Sequence, residues 1–205
     1  KLNLDNLILC GENFPYKILK IFLKKTKINS IYNCYGATEL SPWAFFYKLN
    51  LGDIKIIKKL GKVPIGKPFK GINYSFNDLN ELIIEGNVVA KGYLNNNEET
   101  KKKFLSDKKI NKYNTGDIGF KYHNLVFVSG RNDSQVKIKG HRVDLNEVEN
   151  IARKFKNNLF TFCFLKKNKL TLIYNNEKSE SKEEFLNFLK NNLSNYMMPN
   201  KIIYI

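Results

Sequence analysis

The sequence predicts an α/β sheet that runs into a small, mostly antiparallel β subdomain and is followed by a separate small α+β domain. Three observations predict it. Strand-like and helical apolar periods alternate at the start of the chain; short strands punctuated by Gly and Pro replace them from Trp43 to Val128; after Gly130 strand, helix, hairpin and helix follow one another. With 205 residues, 42% of them hydrophobic, and 15 Phe and 11 Tyr, the chain can bury one sizeable core or two small ones.

"LDNLILC" reads as a short buried strand, Asn13 and Pro15 stand where a cap and a first-turn proline belong, and "YKILKIFLKK" puts Ile18, Ile21 and Phe22 on one helical face. A strand around "INSIYN" runs into a turn at Gly36. The helical period then disappears, and "WAFFY", "GINYSF", "ELIIEG" and "NLVFVS" read as strands of the β subdomain. Further on, "QVKIKGHRV" alternates as a strand, Asp144 with Glu147 makes a start like a capping box, and Leu145, Val148, Ile151, Ala152 and Phe155 form an apolar helical stripe. "LFTFCFL" from Leu159 to Leu165, the turn "KKNK" and "LTLIY" read as a hairpin. Ser181 with Glu184 opens a last helix carrying Phe185, Leu186, Leu189 and Leu193 on its buried side. The domain boundary is placed at about Asp133, giving 1–132 and 133–205.

Several function classes are excluded by composition. No run approaches the roughly 18–20 apolar residues of a membrane helix. The opening "KLNLDNLILCGE" carries Asp5 and Asn6 and no cleavage pattern, so it does not read as a signal peptide. Cys10, Cys34 and Cys163 are odd in number, far apart and without nearby histidines, which indicates neither a disulfide framework nor a zinc site and fits a reducing cytoplasm. His123 and His141 stand alone and read as surface or structural residues. A formal charge of +16 invites a nucleic-acid reading, but only Arg131, Arg142 and Arg153 offer the guanidinium fork that phosphate and base readers favour; the lysines are scattered among asparagines as a solvated surface. No specific nucleic acid and no membrane is expected as a partner.

Four stretches are richer in Gly, Asp, Glu, Thr and Arg than packing requires. They are "NCYGATE" (Asn33 to Glu39), "ELIIEGNVVAKGYLN" (Glu81 to Asn95), "YNTGD" (Tyr113 to Asp117) and "GRNDSQVKIKGHRVDLNEVE" (Gly130 to Glu149). Their order and spacing resemble the adenylate-forming superfamily of peptide-synthetase adenylation domains, carrier-protein ligases and acyl-CoA synthetases. "CGE" at Cys10 to Glu12 and "NYMMP" at Asn195 to Pro199 resemble the flanking motifs, so the resemblance covers nearly the whole chain.

The resemblance implies that 1–132 is the C-terminal part of a large AMP-binding domain and 133–205 a small mobile C-terminal domain. It implies a two-step ligase: a carboxylic acid, here an amino acid by preference, attacks the α-phosphate of ATP, and a thiol then takes the acyl group. That thiol belongs to the phosphopantetheine of a carrier protein, with CoA as the alternative acceptor. The cofactors are then ATP/AMP and Mg²⁺. Asn33, Tyr35, Gly36, Thr38, Asp117 and Arg131 are expected around the nucleotide, Gly36 letting backbone approach the base and Asp117 accepting from the ribose hydroxyls. Glu39 is expected as the hard oxygen ligand of Mg²⁺. Asp133 matches the hinge, Lys137 the lysine of the thioester-forming state, Gly140 the glycine of the thiol tunnel, and Arg142 a position that can meet the phosphate of CoA. Ile8, Cys10, Cys34, Pro42 and Trp43 match the acyl pocket. Ala37 stands where the family usually has Pro, and Asn80 where "GELxIxG" has its first Gly. Neither the phosphate loop nor the terminal Gly-Lys motif is found, so the isolated chain is expected to fold and be inactive. A non-catalytic module that keeps the fold to bind nucleotide or carrier is the alternative.

Overall fold

Leu7 and Leu9 face one way and Ile8 and Cys10 the other, and this alternation makes the first element a strand. The computed structural model describes residues 2–107, 110–157, 160–175 and 181–205. The chain divides into two compact units, Lys1–Asn132 and Asp133–Ile205.

In the first unit β1 (Leu2–Cys10) leads through helix α1 (Tyr16–Lys25) to β2 (Thr26–Tyr35), which lies parallel to it with Cys10 opposite Cys34. Strand β3 (Phe45–Lys48) runs antiparallel to β2, and after helix α2 (Ile54–Leu60) the short β4 (Lys67–Pro68) completes the sheet order β1-β2-β3-β4. "WAFFY" therefore extends the first sheet instead of opening the β subdomain. Pro15, not Asn13, is the N-cap of α1; it has no side-chain bond to offer, and its carbonyl accepts from the Ile18 and Leu19 amides. The buried face of α1 centres on Leu19, with Ile18 and Phe22 beside it, against Phe14, Ile31, Tyr47, Ile57 and Val63. Ile21 is exposed, because two residues past Leu19 the helix has turned by about 200°.

The second sheet comprises β5 (Ile72–Phe76), β6 (Glu81–Gly86), β7 (Phe104–Asp107, preceded by helix α3, Asn97–Lys103), β8 (Ile110–Tyr122) and β9 (Leu125–Arg131). All its pairings are antiparallel, with β8 central to β6, β7 and β9. Its core holds Leu40, Phe45, Ile84, Tyr113 and Val126. Helices α2 and α3 went unforeseen: each has seven residues, too few for a lysine-rich segment to show a helical period. Asn80 takes φ 58°, the left-handed conformation that asparagine tolerates better than most side chains, which accounts for its standing at a glycine position.

In the second unit "QVKIKGHRV" is two strands, β10 (Gln135–Ile138) and β11 (His141–Asp144), paired antiparallel. The predicted single strand is broken by the turn at Lys139 (φ 50°) and Gly140 (φ 84°), where both residues are left-handed and the second is the glycine such a turn favours. Helix α4 (Leu145–Lys154) follows, capped by Asp144, which accepts from the Asn146 amide. Strands β12 (Thr161–Lys166) and β13 (Lys169–Tyr174) form the hairpin; the predicted first residue, Leu159, lies outside the described residues. Helix α5 (Lys182–Asn192) is capped by Ser181, and β14 (Lys201–Tyr204) joins β13 in parallel. Val148, Ala152, Phe155, Phe185, Leu189 and Leu193 pack the core, with Phe188 against it; Leu186 is exposed, since α5 presents the 185–188–189 stripe inward. Among the described residues no helix is long and apolar enough to cross a membrane.

Candidate functional site

A bulge in β8 builds the most distinctive polar constellation of the first unit. Between Glu81 and Ile83 the pairing of β6 with β8 shifts from Ile118 to Asn114, so the segment 115–117 leaves the regular ladder. The Thr115 hydroxyl donates to the Leu82 carbonyl at 2.8 Å and accepts from the Asp117 amide at 3.0 Å, sealing the bulge. Asp117 is buried. Its Oδ2 accepts from the Tyr35 hydroxyl at 2.5 Å and its Oδ1 from Arg131 Nη1 at 2.8 Å, while Arg131 Nη2 donates to the Thr115 carbonyl at 3.1 Å. Arg131 is the register partner of Asp117 across β8 and β9. Burial first, and the Asp117 carboxylate second, hold the Tyr35 phenol well above its ordinary range, so it stays protonated and donates. A carboxylate offers about four lone-pair directions, so Asp117 can take further donors beside these two.

Glu39 is also buried, in the short turn Thr38–Leu40, and its Oε1 accepts from the Tyr93 hydroxyl at 2.6 Å. Burial, then the hydrogen bonds to Glu39 and Tyr113, push the Tyr93 phenol up. Thr38 is exposed at the start of that turn. Gly36 approaches its own chain: a Cβ there would lie 1.9 Å from the Pro42 carbonyl oxygen and 2.8 Å from the Trp43 Cα. Close backbone packing within the loop, sealed by the Ala44 amide on the Tyr35 carbonyl at 2.8 Å, thus requires the glycine whether or not a base approaches it. Asn33, also expected at the nucleotide, has a side-chain bond to the protein itself. It is buried, and its Nδ2 donates to the Pro64 carbonyl at 2.9 Å, which ties down the loop before β4.

The proposed pocket residues divide. Ile8, Cys10 and Cys34 share one face of the first sheet, by alternation and by the parallel register, and burial, then Cys10 nearby, raises the Cys34 thiol. Pro42 and Trp43 lie in the loop after Gly36, and Trp43 is 43% exposed, so it is not the core aromatic its neighbours Ala44 and Phe45 suggest. Phe46, the register partner of Cys34, lies on the same face and stacks on Phe69 at 4.9 Å; strand alternation in "WAFFY" could have revealed it. In the second unit Lys137 is exposed opposite Arg142 in the β10–β11 hairpin, and Arg142 Nε donates to Gln135 Oε1 at 2.5 Å. A Cβ on Gly140 would meet nothing within 4 Å; the turn conformation is what calls for glycine. Asp133 Oδ1 accepts from the Gln135 amide at 3.2 Å.

Sequence reasoning missed two residues altogether. Glu81 holds the Gly116 amide at 2.7 Å and Asn132 Nδ2 at 2.9 Å, and Tyr93 holds Glu39. A carboxylate as the first residue of a strand reads as solvated, and nothing local marks it as buried.

The chain is 29% identical over 216 aligned positions to a D-alanine–D-alanyl carrier protein ligase of Staphylococcus aureus strain Newman, an alignment covering 97% of this chain and 42% of that protein. It is a homologue of the adenylate-forming ligases. Its fold matches an adenylation domain, AlmE of Vibrio cholerae, solved with glycyl-adenosine-5'-phosphate, at a TM-score of 0.86 and 22% identity over 98% of this chain and 41% of that one. It also matches an o-succinylbenzoate CoA synthetase of Bacillus subtilis at a TM-score of 0.79 and 19% identity, over 98% of this chain and 42% of that one. No family model matches. The chain spans about two fifths of the length of these relatives.

Proposed function

We propose that the intact protein to which this chain belongs is a ligase that activates a small carboxylic acid, by preference an amino acid, as its acyl-adenylate and passes the acyl group to a carrier-protein phosphopantetheine. The observation that carries the reading is the buried Tyr35–Asp117–Arg131 constellation in a chain related to a D-alanine carrier-protein ligase. In this reading the first unit is the C-terminal part of a large AMP-binding domain and the second a small mobile domain, with Asp133 at the pivot.

Asp117, held by two donors in one orientation, accepts the ribose hydroxyls, and Tyr35, Gly36 and Thr38 border the nucleotide. Arg131 offsets the charge of the buried carboxylate and faces the phosphate side. A carboxylate oxygen of the acid attacks the α-phosphorus, the bond to pyrophosphate breaks, and the thiol sulfur then displaces AMP from the acyl carbon. The residue that would hold Mg²⁺ is Glu39, a buried carboxylate with one oxygen oriented by Tyr93. A hard oxygen ligand suits that ion, which when bound would supply positive charge to offset that of the phosphates. Ile8, Cys10, Cys34, Pro42 and Trp43 would line the acyl side; Lys137 and Gly140 would serve the thioester step. Free cysteines at 10, 34 and 163 fit a cytoplasmic setting.

The test uses the intact protein. Asp117→Ala should reduce ATP–pyrophosphate exchange by at least about a hundredfold, whereas Asp133→Pro or Lys137→Ala should damage transfer to the thiol more than exchange. Transfer is measured with a carrier protein and with CoA side by side, and a preference for CoA would move the protein to the acyl-CoA synthetases. Exchange that ignores Asp117→Ala, or an intact protein that binds AMP without exchange for any acid, would refute the ligase reading; the latter leaves a binding module.

A further inference from the structure

Glu81 is a buried carboxylate with no part in the chemistry proposed above, and it has three donors. Its Oε1 accepts from the Gly116 amide at 2.7 Å; its Oε2 accepts from Asn132 Nδ2 at 2.9 Å and from Asn77 Nδ2 at 3.4 Å. Its own amide donates to Asn77 Oδ1 at 2.9 Å, so the strand end that carries it is pinned in turn. Two of the three donors are significant by position. Gly116 precedes Asp117 inside the bulge. Asn132 is the last residue of the first unit, immediately before Asp133. The Asn132 amide also donates to the Gly116 carbonyl at 2.9 Å, so one carboxylate braces both sides of a single backbone junction.

We propose that Glu81 is a positioning residue that locks the Asp117 bulge to the final residue of the first unit, setting the orientation of Asp117 and the point at which the chain is released toward the second unit. A charge-assisted bond to a backbone amide is stronger than a neutral one, and a carboxylate can accept from every neighbour at once. An amide in its place cannot. In Glu81→Gln the NH₂ group would face either the Gly116 N–H or the Asn77 NH₂, which cannot turn because Asn77 Oδ1 is held by the Leu79 and Glu81 amides, and Asn132 would have to turn its own amide to accept from it. Glutamate is thus specified by donors converging from separate segments of the chain, Gly116 on β8 and Asn132 just past the end of β9. The junction half of the proposal stands on geometry alone; the functional half rests on reading Asp117 as the ribose ligand.

The experiment is a polarity swap in the intact protein. Glu81→Gln should raise hydrogen exchange at Gly116 and Asn132 by about tenfold and weaken AMP binding by a similar factor, the loss of one charge-assisted bond. Glu81→Gln combined with Asn132→Asp places the Gln NH₂ against a carboxylate and should restore both readouts to within about threefold, a recovery that a merely structural loss would not give. Asn132→Asp alone sets two carboxylates together at an exposed position and should loosen the same amides, which keeps the test alive if Glu81→Gln does not fold. Unchanged exchange in both single variants, or a double variant no better than the singles, overturns the proposal. If exchange follows the swap while the parent itself binds no AMP, the brace stands and the nucleotide reading falls.

Discussion

Asp117 with Arg131 in the first unit and Glu149 with Arg153 in the second are both arginine–carboxylate pairs, at 2.8 and 3.0 Å, but they are built by different means. Glu149 and Arg153 are one helical turn apart on α4, and Arg153 is 45% exposed, against 16% for Arg131. Glu149 uses its other oxygen on the Cys163 amide at 2.8 Å, fastening helix to hairpin. Asp117 and Arg131 meet only because β8 and β9 pair in one register, and the other oxygen of Asp117 takes a phenol instead of a backbone group. The helical pair fastens α4 to the hairpin strand beside it. The sheet pair gathers side chains from three strands into one orientation, which is what a ligand-binding carboxylate needs.

The largest expected difference between the pairs is in stability. Asp117→Ala strands a largely buried guanidinium and a buried phenol and should cost the first unit about 3–5 kcal/mol. Glu149→Ala should cost the second unit about 2 kcal/mol, chiefly for the orphaned Cys163 amide, since Arg153 can turn to water. Urea unfolding of the two variants measures this, and equal losses would erase the distinction.

A smaller effect should appear in alkali. Tyr35, Tyr47 and Tyr93 in the first unit have phenols raised above their ordinary range, chiefly by burial, while the second unit has Tyr204. A folded pKa above the unfolded value gives stability that is complete below about pH 10 and lost as pH rises toward the folded values. The first unit should therefore weaken sooner on alkaline titration, and Tyr35→Phe should flatten its slope. Second-unit loss ahead of the first would break the contrast.

The mildest test uses the thiols. Burial, then Glu149, raises Cys163 to about 12, and Cys10 is exposed, so alkylation near pH 8 should label Cys10 well before Cys163. Glu149→Ala should bring Cys163 labelling forward by loosening the hairpin, and early Cys163 labelling in the parent would contradict the burial on which the comparison rests.

Much of the fold is legible locally. The strand "LDNLILC", the Ser181 cap and the stripe Val148–Ala152–Phe155 follow from periods of 2 and 3.6 and from capping chemistry, all set within a few residues of each other. Ile21 and Leu186 failed for a related reason: periodicity marks an apolar stripe, but which edge of it is covered depends on the partner surface. The residue types of the candidate site, Tyr35, Glu39, Asp117 and Arg131, were likewise legible, because their order along the chain carries the resemblance.

The sequence by itself determined most of the longer elements, which residues could bear chemistry, and that the chain is kin to adenylate-forming enzymes. Only the tertiary structure decided which of those residues meet. Asn33 reaches the Pro64 carbonyl and Tyr35 reaches Asp117, although both lie on the odd-numbered face of β2, because the cover changes along the strand. Glu81 becomes a buried brace because a bulge in another strand, 35 residues away, points an amide at it. Register and bulges are set by cross-strand partners distant in the chain, so no local pattern encodes them, whereas propensity and alternation are properties of neighbours and can be read directly.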